Sequence, residues 1–235
     1  MKTPVSTVRR QERAETTRAR LIQSAEKIFA RDGFEAAKLE EIAAEAGYTR
    51  GAFYANFASK EDLFLALLER EISNRIANAE SLMAKFSDPE AKLQAFRKFF
   101  LTMCQDRRWS LLALEFKLFA VRHPEAKARL AAMNRRLVRS RVGILQGIME
   151  ASGRKLPASA RSVGLSLSAV THALALEHML DRSLMPEADL KKILASYFDS
   201  LTGASPARVI NSRNGRNQPI SKAVSLQIRP LASNL

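Results

Sequence analysis

Between Thr49 and Lys60 the chain gathers Arg50, Gly51, Tyr54 and Asn56 into one short stretch, with Lys38 and Leu39 shortly upstream. These are groups that bind rather than react. Arg50 carries a planar fork that fits a phosphate or the two acceptors of guanine. Thr49 and Tyr54 offer hydroxyls to phosphate oxygens, Asn56 an amide for adenine or phosphate, and Lys60 a point charge for a nucleic-acid backbone. Gly51 has no side chain and lets the main chain approach a duplex closely. Phe53 and Phe57, four apart, turn inward together and hold the segment in place. Groups for making or breaking bonds are sparse. His123, His172 and His178 are the only histidines, and the last two, six apart, fall on different faces of a helix, which argues against a chelating pair. No phosphate-binding glycine loop, nucleophile elbow or paired-cysteine motif occurs. No catalytic residue, no metal and no cofactor is therefore expected. Cys104, without a partner in the chain, reads as a buried, inert thiol in a reducing, cytoplasmic protein.

The elements that must position these residues are marked by periodicity and breakers. Residues 1–14 are polar and basic without an apolar period, and read as a flexible arm. Leu21, Ile22, Ala25, Ile28 and Phe29 then mark a helix that stops at Gly33. A second short helix comes next at Leu39–Ala46, capped by Gly47, and a third begins at Thr49, a good N-cap. Ser59 with Asp62 makes a capping box that opens a long fourth helix. Helix, tight turn and helix together form a helix-turn-helix over 15–62, with residues 63–88 linking it to the rest of the chain. The balance of 38 Lys plus Arg against 24 Asp plus Glu, a net charge of +14, points to a polyanionic partner such as double-stranded DNA.

The run from Ala19 to Arg70 resembles the tetracycline-repressor (TetR) family. The stretch that carries the resemblance is Gly47-Tyr48-Thr49-Arg50-Gly51-Ala52-Phe53-Tyr54-Ala55-Asn56-Phe57, then Ser59-Lys60-Glu61-Asp62-Leu63. The resemblance implies an all-α fold with a three-helix DNA-binding domain and a C-terminal helical bundle for ligand binding and dimerisation. It also implies a homodimer that binds a near-palindromic operator and is released by a small molecule. In that family the residues matching Thr49, Arg50, Gly51, Tyr54, Asn56 and Lys60 meet DNA, helped by the start of the second helix, here Lys38 and Leu39. Threonines are common at that start and histidine at the position of Asn56, so these departures bear on operator choice.

Asp88-Pro89 opens a second domain over 89–202, in which breakers separate amphipathic segments at about 89–106, 109–121, 124–152, 158–183 and 186–202. Phe96, Phe99, Phe100, Met103, Trp109, Phe116 and Phe119 concentrate there, either as lining for a hydrophobic or aromatic effector or as ordinary bundle core. Glu115 and Arg122 either orient a polar group or face water. Leu167, Val170, Leu174, Leu190, Leu194 and Phe198 are expected at a four-helix subunit interface, with small residues from Gly164 to Ala173 permitting close approach. No run of about 18 apolar residues marks a membrane span. Residues 203–235 hold five basic and no acidic residues and read as a disordered tail. Arm and tail together raise an alternative function, a nucleoid-type protein of broad DNA specificity.

Overall fold

The computed structural model describes residues 4–204, and among them there are nine helices and no strand. In chain order they are α1 (Pro4–Ala36), α2 (Leu39–Glu45), α3 (Arg50–Tyr54), α4 (Lys60–Met83), α5 (Pro89–Cys104), α6 (Arg107–Arg122), α7 (Pro124–Ser152), α8 (Ala160–Leu180) and α9 (Glu187–Thr202). Their ends sit where the sequence supplies caps. Ser59 accepts from the Asp62 N–H, and Asp88 and Asp106 accept from Ala91 and Trp109, each such cap contributing about 1 kcal/mol. Gly153 and Gly203 close α7 and α9 in the left-handed conformation.

One difference from the sequence reading concerns the start of α1. The stretch 1–14, expected as an arm, is helical from Pro4 onward. It lacks an internal breaker, and the Thr16 and Thr17 hydroxyls donate to the carbonyls of Glu12 and Arg13. Residues 11–16 are exposed, so helix continues there without an apolar stripe to bury. At Gly33, with φ 80° and ψ 169°, the regular helix breaks off where the sequence reading stops it, and a last turn to Ala36 follows across the kink. The expectations for the tail fall outside the described residues beyond Ala204.

The apolar stripes of α1 and α4 meet those of α2 and α3 in a core of Leu21, Phe29, Ile42, Phe53, Phe57, Phe64 and Leu68, all buried. The same cluster continues without a break into α6 and α7 through Leu112, Phe116, Phe119, Leu130 and Leu137. The helix-turn-helix is thus seated directly on the larger bundle. Polar links reinforce the seam: Arg70 and Arg108 both reach the buried Glu26, at 2.6 and 3.5 Å, and the Glu115 carboxylate accepts from the Phe34 N–H at 2.7 Å. Glu115 therefore neither faces water nor awaits a ligand; it holds the kinked end of α1. Two further clusters, one around Phe96, Leu145 and Phe198 and one around Cys104, Leu190 and Leu194, fill the bundle beyond.

α8 differs from its neighbours. It has the length and mean hydropathy, 1.2, of a membrane-crossing helix, and only 22% of that apolar window is buried inside the protomer. It does not stand out as an uninterrupted apolar run because serines, threonine and histidine punctuate the segment.

Candidate nucleic-acid interface

The α2–α3 turn is built by Gly47. At φ 78° it lets the Gly47 N–H donate to Ala44 and the Tyr48 N–H donate back to Ala43, while the Tyr48 ring leans on the core. This paired C-terminal cap turns the chain sharply. Thr49 then caps α3, its hydroxyl accepting from the Ala52 N–H at 3.3 Å. Phe53, fully buried, anchors α3 from beneath with Phe57 at 5.8 Å between ring centres. α3 is only five residues long, so these anchors and the caps, not its own hydrogen bonds, fix its direction.

The opposite side of α3 faces outward. Lys38, Thr49, Arg50, Gly51 and Tyr54 are all exposed. The Arg50 side chain is 62% exposed while pairing with Glu40 at 2.9 Å. Its guanidinium lies 5.6 Å over the Tyr54 ring, with the phenol oxygen at 3.4 Å. The Tyr54 contact and then Glu40 raise the Arg50 pKa above its ordinary value, so the cation persists at any working pH. An exposed pair of this kind is weak.

Three of the expected residues are placed differently. Asn56 is half-buried, its amide donating to the Ala52 carbonyl at 2.8 Å, which ties off the end of α3. The Lys60 ammonium donates to the carbonyls of Glu35 and Ala37, at 3.0 and 3.3 Å, and lies 4.7 Å over the Phe34 ring. It closes the end of α1. Leu39 leans on the core. Arg18, which sequence reasoning passed over, donates to the Asn56 carbonyl at 2.8 Å and covers the Phe57 ring at 4.1 Å, and so supports the α3 end from α1.

Gly51 is informative because the protein itself does not require it. Its φ lies outside the positive region, and a Cβ there would meet only Thr49 Oγ1 at an ordinary 3.7 Å. The space that a side chain would fill lies outside the protein.

The family profile described as bacterial regulatory proteins, tetR family, matches residues 21–67. The helix-turn-helix segment of the chain is thus similar to that of the TetR family. Among curated relatives, the HTH-type transcriptional activator FasR of Mycolicibacterium smegmatis is 32% identical over 78 residues, 33% of this chain and 36% of that protein. The HTH-type transcriptional repressor NicS of Pseudomonas putida is 29% identical over 159 residues, 62% of this chain and 68% of that one. The match to the activator thus spans about a third of its length. The solved structure of the transcriptional regulator FadR of Bacillus subtilis in complex with stearoyl-CoA superposes with a TM-score of 0.62 at 18% identity, over 80% of this chain and 99% of that one. At that identity the likeness is one of fold, and it extends across the bundle as well as the helix-turn-helix.

Inside the bundle the aromatic group divides. Phe96, Phe99, Phe100, Met103 and Trp109 line a cavity of about 50 Å³. Phe116 and Phe119 do not; their rings pack on Phe64 and Phe34 at the seam with the DNA-binding domain. The far wall of the cavity is polar and was missed from sequence: Cys104, Ser110, Arg141, Ser168, Thr171 and His172. Burial pushes the Cys104 thiol up to about 11, which keeps it protonated and unreactive. Burial and the nearby Lys117 push His172 down to about 4, so its ring is neutral.

The expected interface residues also divide. Leu167, Leu190, Leu194 and Phe198 are buried within the protomer, and Val170 and Leu174 lean on the α9 cluster. They are the strongest apolar positions of α8 and α9, and the protomer core has already claimed them. Among the large apolar side chains of α8 and α9, Leu165, Leu176 and Leu180 on α8 and Ile193 on α9 are left in solvent.

Proposed function

We propose that this chain is a homodimeric transcriptional repressor that binds a near-palindromic operator in the cytoplasm and is released by a small, largely apolar ligand. The observation that carries the DNA-binding part is the outward set Thr49, Arg50, Gly51 and Tyr54 on a capped helix anchored by Phe53 and Phe57, with an empty approach at Gly51. Such a set enters the major groove with its first residues on base edges and its hydroxyls on phosphates. Lys38 extends the same surface to the start of α2.

Dimerisation is supported by α8. Leu165, Leu176 and Leu180 with the small Ala169 and Ala173 leave an apolar strip exposed in the protomer, and a second copy of α8 crossing it removes that area from water. Ligand release is supported by the cavity and by the shared core that joins α6 to α1 and α4. A ligand that favours one placement of α6 changes the separation of the two recognition helices, and so shifts DNA affinity by linkage. The complex of the similar FadR with stearoyl-CoA agrees with a ligand-holding bundle.

The test is a fragment-binding titration with Arg50→Ala and Tyr54→Ala. Each is expected to weaken specific binding by tenfold or more, about 1–3 kcal/mol, at unchanged thermal stability, since both side chains are exposed. Wild-type affinity in both variants would remove α3 as the reading element.

A further inference from the structure

The apolar stripe of α7 runs through Leu130, Leu137, Leu145 and Ile148, and Arg141 stands in the middle of it, four residues from the leucine on either side. A helix that buries this stripe draws the arginine in with it, and Arg141 is half-buried. The Arg141 side chain reaches the cavity beside Phe96, Phe99, Trp109 and Thr171, and among the described residues no hydrogen bond or ion pair joins it to any other group. No carboxylate lines the cavity. Asp106, at the start of α6, is engaged by Arg75 at 2.5 Å. Positive charge is in excess here: Lys117, Arg141 and Arg75 all act on His172, and the Lys117 ammonium lies 3.4 Å from its Nδ1. Desolvation, and then Arg75, lower the Arg141 pKa from its ordinary value to about 10. A half-buried cation without a protein partner keeps its guanidinium donors free for an anion that enters the cavity.

Building on the ligand-release reading above, we propose that the ligand of this cavity is an anion with an apolar body, a carboxylic acid in its simplest form, whose charged group pairs with Arg141. A planar carboxylate matches the guanidinium fork in two parallel hydrogen bonds. The remaining wall suits a hydrocarbon: Phe96, Phe99, Phe100 and Trp109 present rings, and the Thr171 hydroxyl already donates to the Leu167 carbonyl. His172 keeps its Nδ1–H on the Ser168 carbonyl at 2.6 Å and adds no negative charge. As it stands the space takes about three to five non-hydrogen atoms, at roughly 10–15 Å³ for each water-sized group. A longer chain must displace the walls, which include Trp109 on α6, and α6 is the helix whose Glu115 holds the end of α1. Occupation and DNA release are connected through that helix.

Trp109 is the only tryptophan in the chain, so its fluorescence reports the cavity directly. Full-length protein is titrated with octanoate and, separately, with octan-1-ol, an equally long neutral probe. Octanoate is expected to change the emission saturably and to bind about tenfold or more tightly than the alcohol, as a charge-assisted pair requires. Arg141→Met should bring the two within about twofold of each other and raise the thermal midpoint of the unliganded protein. Equal binding of acid and alcohol to the wild type, saturation by neither, or an advantage for octanoate that survives Arg141→Met would each overturn the proposal. The wild-type comparison decides by itself should the variant not fold. DNA binding by the same preparations without ligand is measured alongside: if DNA is bound normally and octanoate shows no preference, the anionic ligand fails while the regulator reading stands.

Discussion

Replacing Gly33 by alanine probes the joint through which the two domains are coupled. At φ 80° and ψ 169° the backbone occupies a region that is essentially open to glycine alone, and holding alanine there costs about 1–3 kcal/mol. The new Cβ would also stand 2.7 Å from Oε1 of Glu115. Because that oxygen ends a flexible side chain, the contact is relieved by rotation of Glu115. The rotation, however, releases the Phe34 N–H, which the same carboxylate holds at 2.7 Å, and a hydrogen bond to a charged acceptor contributes about 1.5–3 kcal/mol. Together these give a loss of about 2.5–6 kcal/mol, a large part of the roughly 5–15 kcal/mol typical of a folded domain. Urea unfolding measures it as a lower midpoint at unchanged slope. Glu115→Ala alone should cost only the hydrogen-bond share. In the double variant Gly33→Ala should then add only the strain share, so that the two losses are less than additive. A loss below about 1 kcal/mol for Gly33→Ala, or strict additivity, would refute this account of the joint.

Gly51→Ala separates binding from folding. The Cβ meets nothing closer than 3.7 Å, so stability should hold or rise by up to about 1 kcal/mol while DNA affinity falls about tenfold; undiminished DNA binding would show that Gly51 does not mark a close approach. His172 makes stability depend on pH. Its folded pKa of about 4 lies below the ordinary 6.5, so its contribution is present above pH 6.5 and lost as pH falls from 6.5 towards 4. At about 1.4 kcal/mol per pKa unit the loss reaches at most about 3.5 kcal/mol, less for a partly exposed ring. Lys117, Arg141 and Arg75 all oppose its protonation, and unfolding curves of His172→Gln should be flatter over that range than those of the wild type. Equal slopes would contradict the burial of a neutral ring. Leu176→Glu, on the exposed strip of α8, should halve the mass seen by light scattering while helicity is retained, whereas Leu194→Glu should unfold the protomer.

The breakers and caps made most of the bundle legible. Asp88-Pro89, Ser59 with Asp62 and Gly153 stand where helices start and stop, because a cap satisfies local hydrogen bonds that do not depend on the rest of the fold. The helical start at Pro4 was not legible by apolar period, since the first part of α1 carries no apolar stripe and residues 11–16 lie in solvent. Phe99 and Phe116 look alike along the chain, yet one lines the cavity and the other packs on Phe64; spacing shows that a face is apolar but not which neighbour it meets. The same limit misassigned Leu190, Leu194 and Phe198, which fill the protomer core before any second subunit arrives. Lys60 and Asn56 fit a nucleic-acid contact by type, and only the carbonyls around them reveal their structural work. Arg141 was within reach of the sequence, because a cation in the middle of an apolar stripe demands a partner that periodicity alone does not supply.

The most direct test of the central claim is a selection of genomic fragments by the purified protein at about 150 mM salt, where exposed charges are screened beyond about 8 Å. The helix-turn-helix account predicts a small set of fragments that share an inverted repeat, with half-sites about one helical turn apart. Uniform enrichment without a shared motif would contradict it and favour binding through charge alone.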